Sequence, residues 1–561
     1  MKKYVSLVLF SLLSWAVCAK DFPKVILAGD YPDPTILRDG KDYYMTHSPF
    51  YYAPGFLIWH SQDLEHWEPV CRAMAQWEGS AMAPDLVKYN NRYYIYYPAA
   101  GTNWVIWADN IRGPWSAPKD LKVNGIDPGH VADADGKRYL YLSEGKVVQL
   151  SDDGLSTVGE VKKVYDGWPY PRNWRTEGMY LESPKLNYHN GYYYLTSAEG
   201  GTAGPGTSHM VVTARSKSVL GPWENSPFNP LVHTYSERES WWSRGHGTLI
   251  DDVNGNWWVV YHAYAKGYHT LGRQTLIEPI EWTPDGWCRA KSTGTFPKAE
   301  VPIRHGLELS DDFQGTELGL QWTFWKEYAP KAVTLENRTL RLKAKGKTPA
   351  DARLLLATAE DKNYETQVEV TVGKNNTAGL LLYYSEKAYA GLVSDGKTFT
   401  VYRHVGQKTE LPNTLGRQFT VRIKNQGNHV SISVGKDGKE WTTLAEGIDV
   451  SGMHHNAYKG FYALRIGLVS IGKGEAAFHQ FRYKNAVPQE KDLSAYLMVF
   501  HKDETHGLYM ALSRDGYTFT ALNDGEPVLA GDTIAYQRGI RDPYIYRGPD
   551  GAFYLAMTDL H

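Results

Sequence analysis

Polar turns followed by short aromatic strands recur five times in the first half of the chain. Asn-Gly or Asp-Gly turns between short strands are hairpin signals, and a repeat of about 50 residues is typical of a four-stranded propeller blade. The repeat therefore predicts a five-bladed β-propeller over residues 20–305 of an all-β protein. An α/β fold would need helical stretches between the strands, and a β-sandwich gives no reason for this period. The second turn residues lie 51, 45, 55 and 64 residues apart, at Gly40, Asn91, Gly136, Gly191 and Gly255.

After Pro297 the pattern changes to an alternation of apolar and polar residues. The segments "QFTVRIK" from Gln418 and "HVSISVG" from His429 alternate in this way, which is typical of half-buried antiparallel strands. Together with glycine-bearing turns about every ten residues, this alternation predicts a β-sandwich over residues 306–486.

The last segment returns to the opening pattern. Its "RDPYIYRGPDGAFYLAM" is a near copy of "YPDPTILRDGKDYYM" near the start of the chain. We predict that residues 487–561 form the incomplete first blade of a second propeller. A lone blade cannot bury its faces, so we expect this segment to be weakly ordered or docked on its neighbours.

Charge and composition narrow the class of partner. The 60 basic and 62 acidic residues nearly balance, which removes the electrostatic argument for nucleic acid. The chain has 19 Trp and 40 Tyr, against 16 Phe, and such amphipathic rings suit flat binding surfaces that also form hydrogen bonds. An oligo- or polysaccharide is a ligand with that need.

The first 19 residues have the pattern of a secretory signal peptide. Two lysines, an apolar run and small residues precede Lys20, and the run is too short for a membrane span. No later stretch predicts a span, so we expect export to the periplasm or the extracellular space. Anchoring as a lipoprotein through Cys18 is the alternative, although Trp15-Ala16-Val17 is a poor lipobox. Cys71 and Cys288 then allow at most one disulfide.

Acidic residues stand near the start of three of the five repeats. Asp33 and Asp127 each precede a proline, and Glu182 lies two residues before one. Inner strands of propeller blades begin near the central axis, so we expect the three carboxyl groups to share one pocket. Like charges raise one another's pKa, and one acid can then stay protonated while another is ionised, as glycoside hydrolysis requires. The alternative is that each acid caps a turn.

This ordered set of motifs resembles glycoside hydrolase family 43. The motifs are "YPDPT", "GIDPGHV", "LESPKLNYHNGYYYLTSAEGG" and "GHGTLIDDVNGNWWVVYHAY", and the resemblance covers residues 22–299. From Leu309 onward, "DDFQG", "QWTFW" and "TAGLLLYYSEKAYAGLVSD" resemble the concanavalin-like C-terminal module of β-xylosidases in that family.

The resemblance implies catalytic roles for the three acids. Asp33 becomes the general base, Glu182 the general acid, and Asp127 the group that orients the acid and keeps its pKa raised. Family members invert the anomeric centre, so the carboxyl groups of Asp33 and Glu182 are expected to be about 6.5–9.5 Å apart. Glu177 is a competing acid, but its spacing to the following aromatic strand is too long.

The resemblance also implies binding residues near the acids. Arg273 in "LGRQTLIEPIEW" matches an arginine that reaches the sugar and the base, and a structural salt bridge is the alternative. His246 matches a histidine that in several members contacts a central metal ion, often calcium, through water. A buried histidine satisfied by its neighbours is the other interpretation of His246. No cofactor is required, and a structural calcium ion stays an open expectation.

One departure from the family concerns the sugar pocket. Met82 stands where many members have a tryptophan before Ala-Pro-Asp, which leaves the aromatic wall of the pocket open. We expect Met82 to contact the sugar, with Trp104 and Trp242 as the main stacking candidates. Further candidates are Trp77, Trp168, Trp174 and Trp241.

These observations predict a secreted, inverting exo-glycosidase. It would release terminal β-D-xylose or α-L-arabinofuranose from plant cell-wall oligo- and polysaccharides, with a slight preference for xylose. One alternative is a retaining fructan-type hydrolase of the same architecture, although "YPDPT" and "LESPK" are not its motifs. The other is a non-catalytic sugar-binding propeller. Asp542 in the tail copies the base position without an acid partner, so we expect no activity from it.

Overall fold

The computed structural model describes residues 22–76, 78–291, 305–486, 495–513, 518–548 and 552–559. The expected signal peptide and Trp77 lie outside these residues. The described helices are α1 (His455–Tyr458) and α2 (Gly531–Ile534), and none is long and apolar enough to cross a membrane. Short 3-10 turns cover Ser143–Gly145, His269–Leu271, Pro330–Ala332, Pro349–Asp351 and Asn523–Gly525.

Antiparallel strands form nearly all of the regular structure in residues 22–291. In chain order they are β1 Lys24–Leu27, β2 Thr35–Asp39, β3 Asp42–Thr46, β4 Tyr52–Ala53, β5 Gly55–Ser61, β6 Glu68–Met74, β7 Asp85–Tyr89, β8 Arg92–Ala99, β9 Thr102–Ala108, β10 Lys119–Asp120, β11 Gly129–Ala132, β12 Arg138–Leu142, β13 Lys146–Leu150, β14 Thr157–Lys163, β15 Leu181–His189, β16 Tyr192–Glu199, β17 Met210–Ser216, β18 Glu224–Asn225, β19 Val232–His233, β20 Trp241–Asp251, β21 Trp257–Ala265, β22 Arg273–Trp282 and β23 Cys288–Ala290.

These strands form five separate sheets, apart from β4. Sheet 1 contains β2, β3, β5 and β6; sheet 2 contains β7–β10; sheet 3 contains β11–β14; sheet 4 contains β15–β19; and sheet 5 contains β20–β23 together with β1. The five turn-plus-aromatic repeats are the hairpins that join the first two strands of each sheet. Their second strands are largely buried, as in β8 and β16, because the sheets pack against one another. The first strand of the chain, β1, pairs with β22 and so belongs to the last sheet.

Residues 305–486 form two larger sheets. The strands are β24 Thr323–Trp325, β25 Val333–Glu336, β26 Thr339–Lys343, β27 Arg353–Ala357, β28 Asn363–Thr371, β29 Asn376–Ser385, β30 Ala388–Ser394, β31 Thr398–His404, β32 Gln407–Pro412, β33 Gln418–Gln426, β34 His429–Gly435, β35 Thr442–Asp449, β36 Arg465–Gly472 and β37 Glu475–Asn485.

The two larger sheets share one hydrophobic core. One sheet has the order β32-β31-β30-β29-β36-β27-β24-β4, and the other has the order β25-β26-β37-β28-β33-β34-β35. Leu380 and Leu468 of the first sheet and Val421 of the second belong to the same buried cluster. In β33, Phe419, Val421 and Ile423 are buried, as the alternating pattern predicts.

The two regions are joined by a shared strand and a buried ion pair. Strand β4 of the first region pairs with β24, with Ala53 opposite Phe324. Arg465 at the start of β36 lies 3.3 Å from Asp30, and both side chains are buried. Residues of the second region can therefore contribute to a site in the first.

The C-terminal residues form a compact unit of their own, Val487–His561. Its described strands are β38 Tyr496–His501, β39 Leu508–Ser513, β40 Thr520–Ala521, β41 Arg541–Arg547 and β42 Phe553–Thr558. They form a three-stranded sheet, β38–β40, and a two-stranded sheet, β41–β42. The repeat of the opening motif accounts for the second of these sheets. The segment before it forms the first sheet, and the assignment of these residues to an incomplete first blade stays a prediction.

The two remaining cysteines do not form a disulfide. Both are free thiols. Sγ of Cys71 in β6 donates to the carbonyl of Ile111 at 3.5 Å, whereas Cys288 is buried in β23 of sheet 5 beside Thr213.

Candidate active site

A residue at the same place in each of the five sheets has an unusual backbone. It lies two residues before the position at which unbroken pairing with the second strand begins. We call these segments the leading turns. Positive φ is uncommon outside glycine, and such strained residues cluster at active sites and ligand-binding sites. The residues and their φ values are Asp33 56°, Ala83 38°, Asp127 56°, Ser183 53° and His246 57°.

The acid of sheet 4 is offset from the other two. Asp33 and Asp127 occupy the shared position, but in sheet 4 that position holds Ser183, and Glu182 comes one residue earlier. Glu182 is paired with Ala198 before the irregular stretch that precedes Lys185. The side chain of Glu182 therefore starts from a different point of its turn than the two aspartates do.

Asp33 is buried next to an arginine and a serine. Nη1 of Arg273 donates to Oδ1 of Asp33 at 2.7 Å, and Oγ of Ser48 donates to Oδ2 at 2.5 Å. Burial acts to raise the pKa of the carboxyl group, but Arg273, His246 and His262 together outweigh it and hold the pKa of Asp33 well below its usual range. Asp33 is therefore ionised at neutral pH.

His262 in β21 holds the backbone of the same turn. The Asp33 N–H donates to Nδ1 of His262 at 3.1 Å, so the ring proton resides on Nε2, which lies 3.1 Å from Oγ1 of Thr202. Burial lowers the pKa of His262 to about 4, which keeps the ring neutral. Sequence analysis missed this residue. Its signal was a histidine inside the otherwise apolar and aromatic run "WWVVYHAYA".

The pKa values of Asp127 and Glu182 are shifted upward, in the opposite direction to that of Asp33. The N–H of Ser183 donates to Oδ2 of Asp127 at 3.0 Å, which ties Asp127 to the residue after Glu182. Burial raises the pKa of both acids, and repulsion from Asp33 raises both further. Glu182 also feels the charges of Asp127 and Glu177. Glu182 consequently keeps its proton at pH values where an exposed glutamate has lost it.

A buried lysine connects three of the leading turns. Nζ of Lys185 donates to the carbonyl oxygens of Pro84 and Pro128 at 2.9 and 3.1 Å and to Oδ1 of Asp85 at 2.9 Å. The side chains of Lys185 and Asp85 are 3% and 8% exposed. Removing one partner of such a buried pair leaves an uncompensated charge. Sequence analysis quoted Lys185 within "LESPK" but gave it no role, because its partners lie on other sheets.

The leading turns of sheets 3 and 4 also touch directly. A Cβ atom on Gly129 would lie 1.7 Å from the carbonyl oxygen of Pro184. Any side chain at this position would push the turns of Asp127 and Glu182 apart. The glycine after Asp127-Pro128 is therefore needed for the close approach of the two acids.

Two phenylalanines stand beside the Arg273 guanidinium. The central carbon of this guanidinium, Cζ, lies 5.6 Å from the ring centroid of Phe50 and 5.3 Å from that of Phe461. The two rings are nearly parallel, with centroids 6.5 Å apart. Both residues have positive φ, 48° and 56°, which is a marked outlier for a bulky side chain. Sequence analysis missed both residues, and Phe461 belongs to the second region, more than 400 residues from Asp33.

The segment that carries Phe461 is fixed to loops of the first region. Asn456 exchanges two hydrogen bonds with the backbone of Gly204, at 3.3 and 3.2 Å. The N–H of Leu464 donates to the carbonyl of Thr270 at 2.8 Å, and the ring of His455 stacks on Phe461 at 3.7 Å. The second region therefore supplies part of the wall around Arg273.

The residues that were expected to contact the sugar differ in their burial and in their neighbours. Met82 is half-buried in the leading turn of sheet 2, next to Ala81, which bridges to Phe50. Trp242 is half-buried near the start of β20, where its ring lies 5.6 Å from that of His269. Trp104 has neighbours within the protein, and its contact with the sugar stays a prediction. It lies on the third strand of sheet 2 and packs against the core of that sheet, and its Nε1 donates to the carbonyl of Ala99 at 2.9 Å.

Other tryptophan candidates also have structural neighbours. Trp241 is buried in the core of sheet 5. Trp168 and Trp174 pack against each other, with ring centroids 6.0 Å apart, beside the buried Met210 and Val212.

Glu177 is exposed and lies at the edge of the acid group. Its Oε2 accepts a hydrogen bond from the N–H of Ala203 at 2.8 Å. Its charge contributes to the raised pKa of Glu182. This position makes Glu177 a neighbour that influences Glu182.

Calcium does not fit as a directly bound ion at the histidines. Within the described residues, ligand atoms of Asp33, His246 and His262 lie within 4.8 Å of one another. Calcium takes six to eight oxygen ligands, whereas this group offers two imidazoles and a carboxylate that is already bonded to Arg273. Nε2 of His246 is buried and has no described hydrogen-bond partner. Calcium reached from His246 through water stays a prediction.

Comparison with known families agrees with this arrangement. Residues 22–288 match the family model of glycosyl hydrolases family 43. The chain contains a glycosyl hydrolase family 43 domain. Residues 310–484 of this glycoside hydrolase match the beta xylosidase C-terminal concanavalin A-like domain, and residues 491–561 match a probable glycosyl hydrolase domain. Family 43 glycosidases need no cofactor.

Several relatives of this family 43 enzyme align over most of its length. The non-reducing end alpha-L-arabinofuranosidase BoGH43B of Bacteroides ovatus is 28% identical, and the alignment covers 85% of this chain and 97% of the relative. A xylan 1,3-beta-xylosidase from a Vibrio species is also 28% identical, with 82% and 98% covered. The crystal structure of a xylan beta-1,4-xylosidase from Bacillus halodurans superposes with a TM-score of 0.73 at 28% identity, over 82% of this chain and 100% of that chain.

Proposed function

We propose that the five sheets of residues 22–291 are the blades of a five-bladed β-propeller, followed by a β-sandwich. The recurrence of the leading turn in all five sheets supports this arrangement. The pairing of β1 with β22 supports it too, because it places the first strand in the last sheet and so closes a ring. The shared core of the two larger sheets supports the sandwich.

We propose that this family 43 enzyme is an inverting exo-glycosidase in which Asp33 is the general base and Glu182 the general acid. The observation that carries this proposal is the opposite displacement of their pKa values. Burial and like charges raise the pKa of Glu182, whereas Arg273 lowers that of Asp33 despite burial. Environments that shift the pKa values of two carboxyl groups in opposite directions identify the acid and the base.

The reaction follows from these two protonation states. Glu182 donates its proton to the glycosidic oxygen while the bond from the anomeric carbon to that oxygen breaks. Asp33 takes a proton from a water molecule that attacks the anomeric carbon from the opposite face. One displacement inverts the configuration, and room for the water requires the two carboxyl groups to be about 6.5–9.5 Å apart.

The other residues of the site are assigned supporting roles. Asp127 orients the turn of Glu182 through the N–H of Ser183 and adds negative charge that keeps Glu182 protonated. Arg273 keeps Asp33 ionised and can hold hydroxyl groups of the sugar. Phe50 and Phe461 form aromatic surfaces beside Arg273, next to Met82. The second region contributes Phe461 to the wall beside Arg273, and a pocket bounded in this way suits a single terminal sugar, which supports exo action.

The proposed substrate is a terminal β-D-xylose or α-L-arabinofuranose on a plant cell-wall oligo- or polysaccharide. Relatives that align over most of the chain are named as an arabinofuranosidase and as xylosidases. The match of residues 310–484 to a β-xylosidase module favours xylose slightly. We also propose export to the periplasm or the extracellular space, on the basis of the first 19 residues.

The test compares substrates whose leaving groups differ in their need for a proton. Xylobiose has a basic leaving group, whereas 2,4-dinitrophenyl β-D-xyloside has an acidic one. Glu182→Gln is expected to lower kcat/KM for xylobiose by about 10²–10⁴-fold and to affect the dinitrophenyl xyloside far less. Proton NMR of the first product is expected to show α-xylose, the inverted anomer.

Several outcomes would contradict the proposal. Equal losses on both xylosides would remove the acid role from Glu182, and β-xylose as the first product would indicate retention. The same measurements with xylose-substituted and arabinofuranose-substituted aryl glycosides separate the two pentoses. A folded wild-type enzyme that cleaves neither would favour a sugar-binding protein.

A further inference from the structure

A cavity apart from the acids is lined by the segment before sheet 4, by sheet 4 itself and by the loop between β19 and β20. Its volume is about 510 Å³, within the range of small-molecule sites. Residues from three segments line it, and they combine aromatic rings with charged and polar groups. Among them are Asn173, Trp174, Arg175, Thr207, His233 and Tyr235.

His233 is a buried residue in the wall of this cavity. The residue is 5% exposed, and its Nε2 donates to the carbonyl oxygen of Thr207 at 2.9 Å. A carbonyl can only accept, so the ring proton resides on Nε2 and Nδ1 carries a lone pair. Nδ1 is buried and has no partner among the described residues. Burial also lowers the pKa of His233 to about 4, so Nδ1 remains an acceptor at neutral pH.

Aromatic rings around His233 provide the apolar surface. Trp174 stacks on His233 with ring centroids 4.5 Å apart and an angle of 4°. Tyr235 stands perpendicular to both rings and is 62% exposed. An exposed tyrosine held by two ordered rings offers a rigid face at low entropic cost.

Charged groups at the edge of the cavity supply hydrogen bonds. Arg175 and Glu237 form an ion pair at 3.5 Å, with side chains 75% and 47% exposed. A guanidinium and a carboxylate side by side can donate to and accept from neighbouring hydroxyl groups. The combination of a flat aromatic face and a donor-acceptor pair suits a neutral polyhydroxylated ring.

Hydrogen bonds between two segments link the cavity to the surroundings of Glu182. Oγ1 of Thr207 donates to the carbonyl of Arg175 at 3.1 Å. The two segments also meet slightly further along, since the N–H of Glu177 donates to Oγ of Ser208 at 2.7 Å. Glu177 in turn acts on Glu182. Trp242 lies on the same side, because its Nε1 donates to the carbonyl of Glu237 at 3.1 Å.

We propose that this cavity binds a sugar unit of the leaving polysaccharide chain, beyond the unit next to the bond that is cut. The inference rests on the proposed function, because it takes the chain that leaves the catalytic pocket to be its ligand. For a terminal xylose or arabinofuranose on xylan, that chain is a β-xylan. The cavity would make the enzyme prefer long chains over short ones without changing the chemical step.

The test compares xylobiose, which is too short to reach the cavity, with xylohexaose. Tyr235→Ala is expected to lower kcat/KM for xylohexaose about three- to tenfold, the range of an aromatic contact, and to leave kcat/KM for xylobiose unchanged. Tyr188→Ala is the matched control, because Tyr188 is 63% exposed but lies at the opposite end of β15 from Glu182. It is expected to change neither value.

A binding measurement separates the failure of this inference from the failure of the proposed reaction. Calorimetric titration of Glu182→Gln with xylohexaose is expected to give a Kd three- to tenfold lower than for the double variant with Tyr235→Ala. Equal Kd values, or equal effects of Tyr235→Ala on both substrates, would overturn the cavity as a sugar site. Absence of hydrolysis by the wild-type enzyme would overturn the reaction, and the titration would still decide the cavity.

Discussion

The chain contains the same turn twice, in two different surroundings. Asp33 and Asp542 both precede a proline, and their φ values are 56° and 49°. Each donates its backbone N–H to Nδ1 of a histidine, His262 at 3.1 Å and His501 at 3.3 Å. Local sequence, backbone conformation and the first hydrogen bond are therefore shared by the two units.

The two turns differ in what surrounds the carboxylate. Asp33 is 5% exposed and is bonded to Arg273 and Ser48. Asp542 is exposed, and its Oδ2 accepts a hydrogen bond from Thr558 at 3.4 Å. The turn fixes the position of the carboxylate, but the residues that determine its protonation state come from elsewhere in the chain. We infer that the motif alone specifies a position and that its partners specify the chemistry.

The largest expected effect comes from removing the carboxylate in each turn. Asp33→Asn is expected to lower kcat/KM for xylobiose by about 10³-fold, within the usual range for a general base. Asp542→Asn is expected to leave kcat/KM unchanged, since Asp542 has no part in the proposed reaction. Both substitutions are measured in the full chain, with circular dichroism to confirm folding. A comparable loss in Asp542→Asn would show that the copy takes part in catalysis.

A smaller effect is expected from removing the lysine that bonds three of the leading turns in the first unit. Lys185→Met leaves Asp85 buried without its ammonium, and breaking such a pair costs about 3–5 kcal/mol of stability. The measurement is the urea midpoint of inactivation in the full chain. Lys88→Met is the control, because Lys88 pairs with Asp39 at 2.6 Å on the surface, where both side chains are more than a quarter exposed. It is expected to cost less than about 1 kcal/mol.

The double variant Lys185→Met/Asp85→Asn sharpens this measurement. If the loss arises from an uncompensated carboxylate, neutralising Asp85 restores part of the stability. A double variant no more stable than Lys185→Met would instead assign the loss to the carbonyl contacts with Pro84 and Pro128. Either result tells whether charge or shape holds the three turns together.

The family and its hydrolase activity could be predicted because they depend on local motifs. The acids and Arg273 stand in short segments with recognisable neighbours, and the all-β class follows from the repeat and the alternation. Spacing within one hairpin favours Glu182 over Glu177 as the acid, and that choice stays a prediction. These features share one property: the residues that reveal them are adjacent in the sequence.

The missing residues depend on contacts between distant segments. Lys185 meets Asp85 and Pro128 across sheets, and Phe461 reaches Arg273 from the second region. Trp104 was named as a sugar contact because a tryptophan can stack, and the structure adds that its ring packs against the core shared by sheets 1 and 2. A single sequence gives residue types, whereas these roles depend on which strands become neighbours.

The smallest expected effect concerns a neighbour of the acid. Glu177→Gln removes a negative charge that raises the pKa of Glu182. The pKa of Glu182 then falls, so Glu182 loses its proton at lower pH and the alkaline limb of the kcat/KM profile moves to lower pH. The shift is expected to be less than about one pH unit, because Glu177 is exposed and its field is screened. The maximal kcat/KM for xylobiose is expected to change less than about threefold.

The same profile decides between Glu177 and Glu182 as the acid. A loss of about 10²-fold or more in Glu177→Gln would transfer the acid role to Glu177. Glu144→Gln, at an exposed glutamate between β12 and β13, controls for the loss of one surface charge and is expected to leave the limb in place. If the alkaline limb moves in Glu177→Gln but not in Glu144→Gln, the charge of Glu177 acts locally on Glu182. The acid of sheet 4, like the base of sheet 1, would then owe its protonation state to residues outside its own turn.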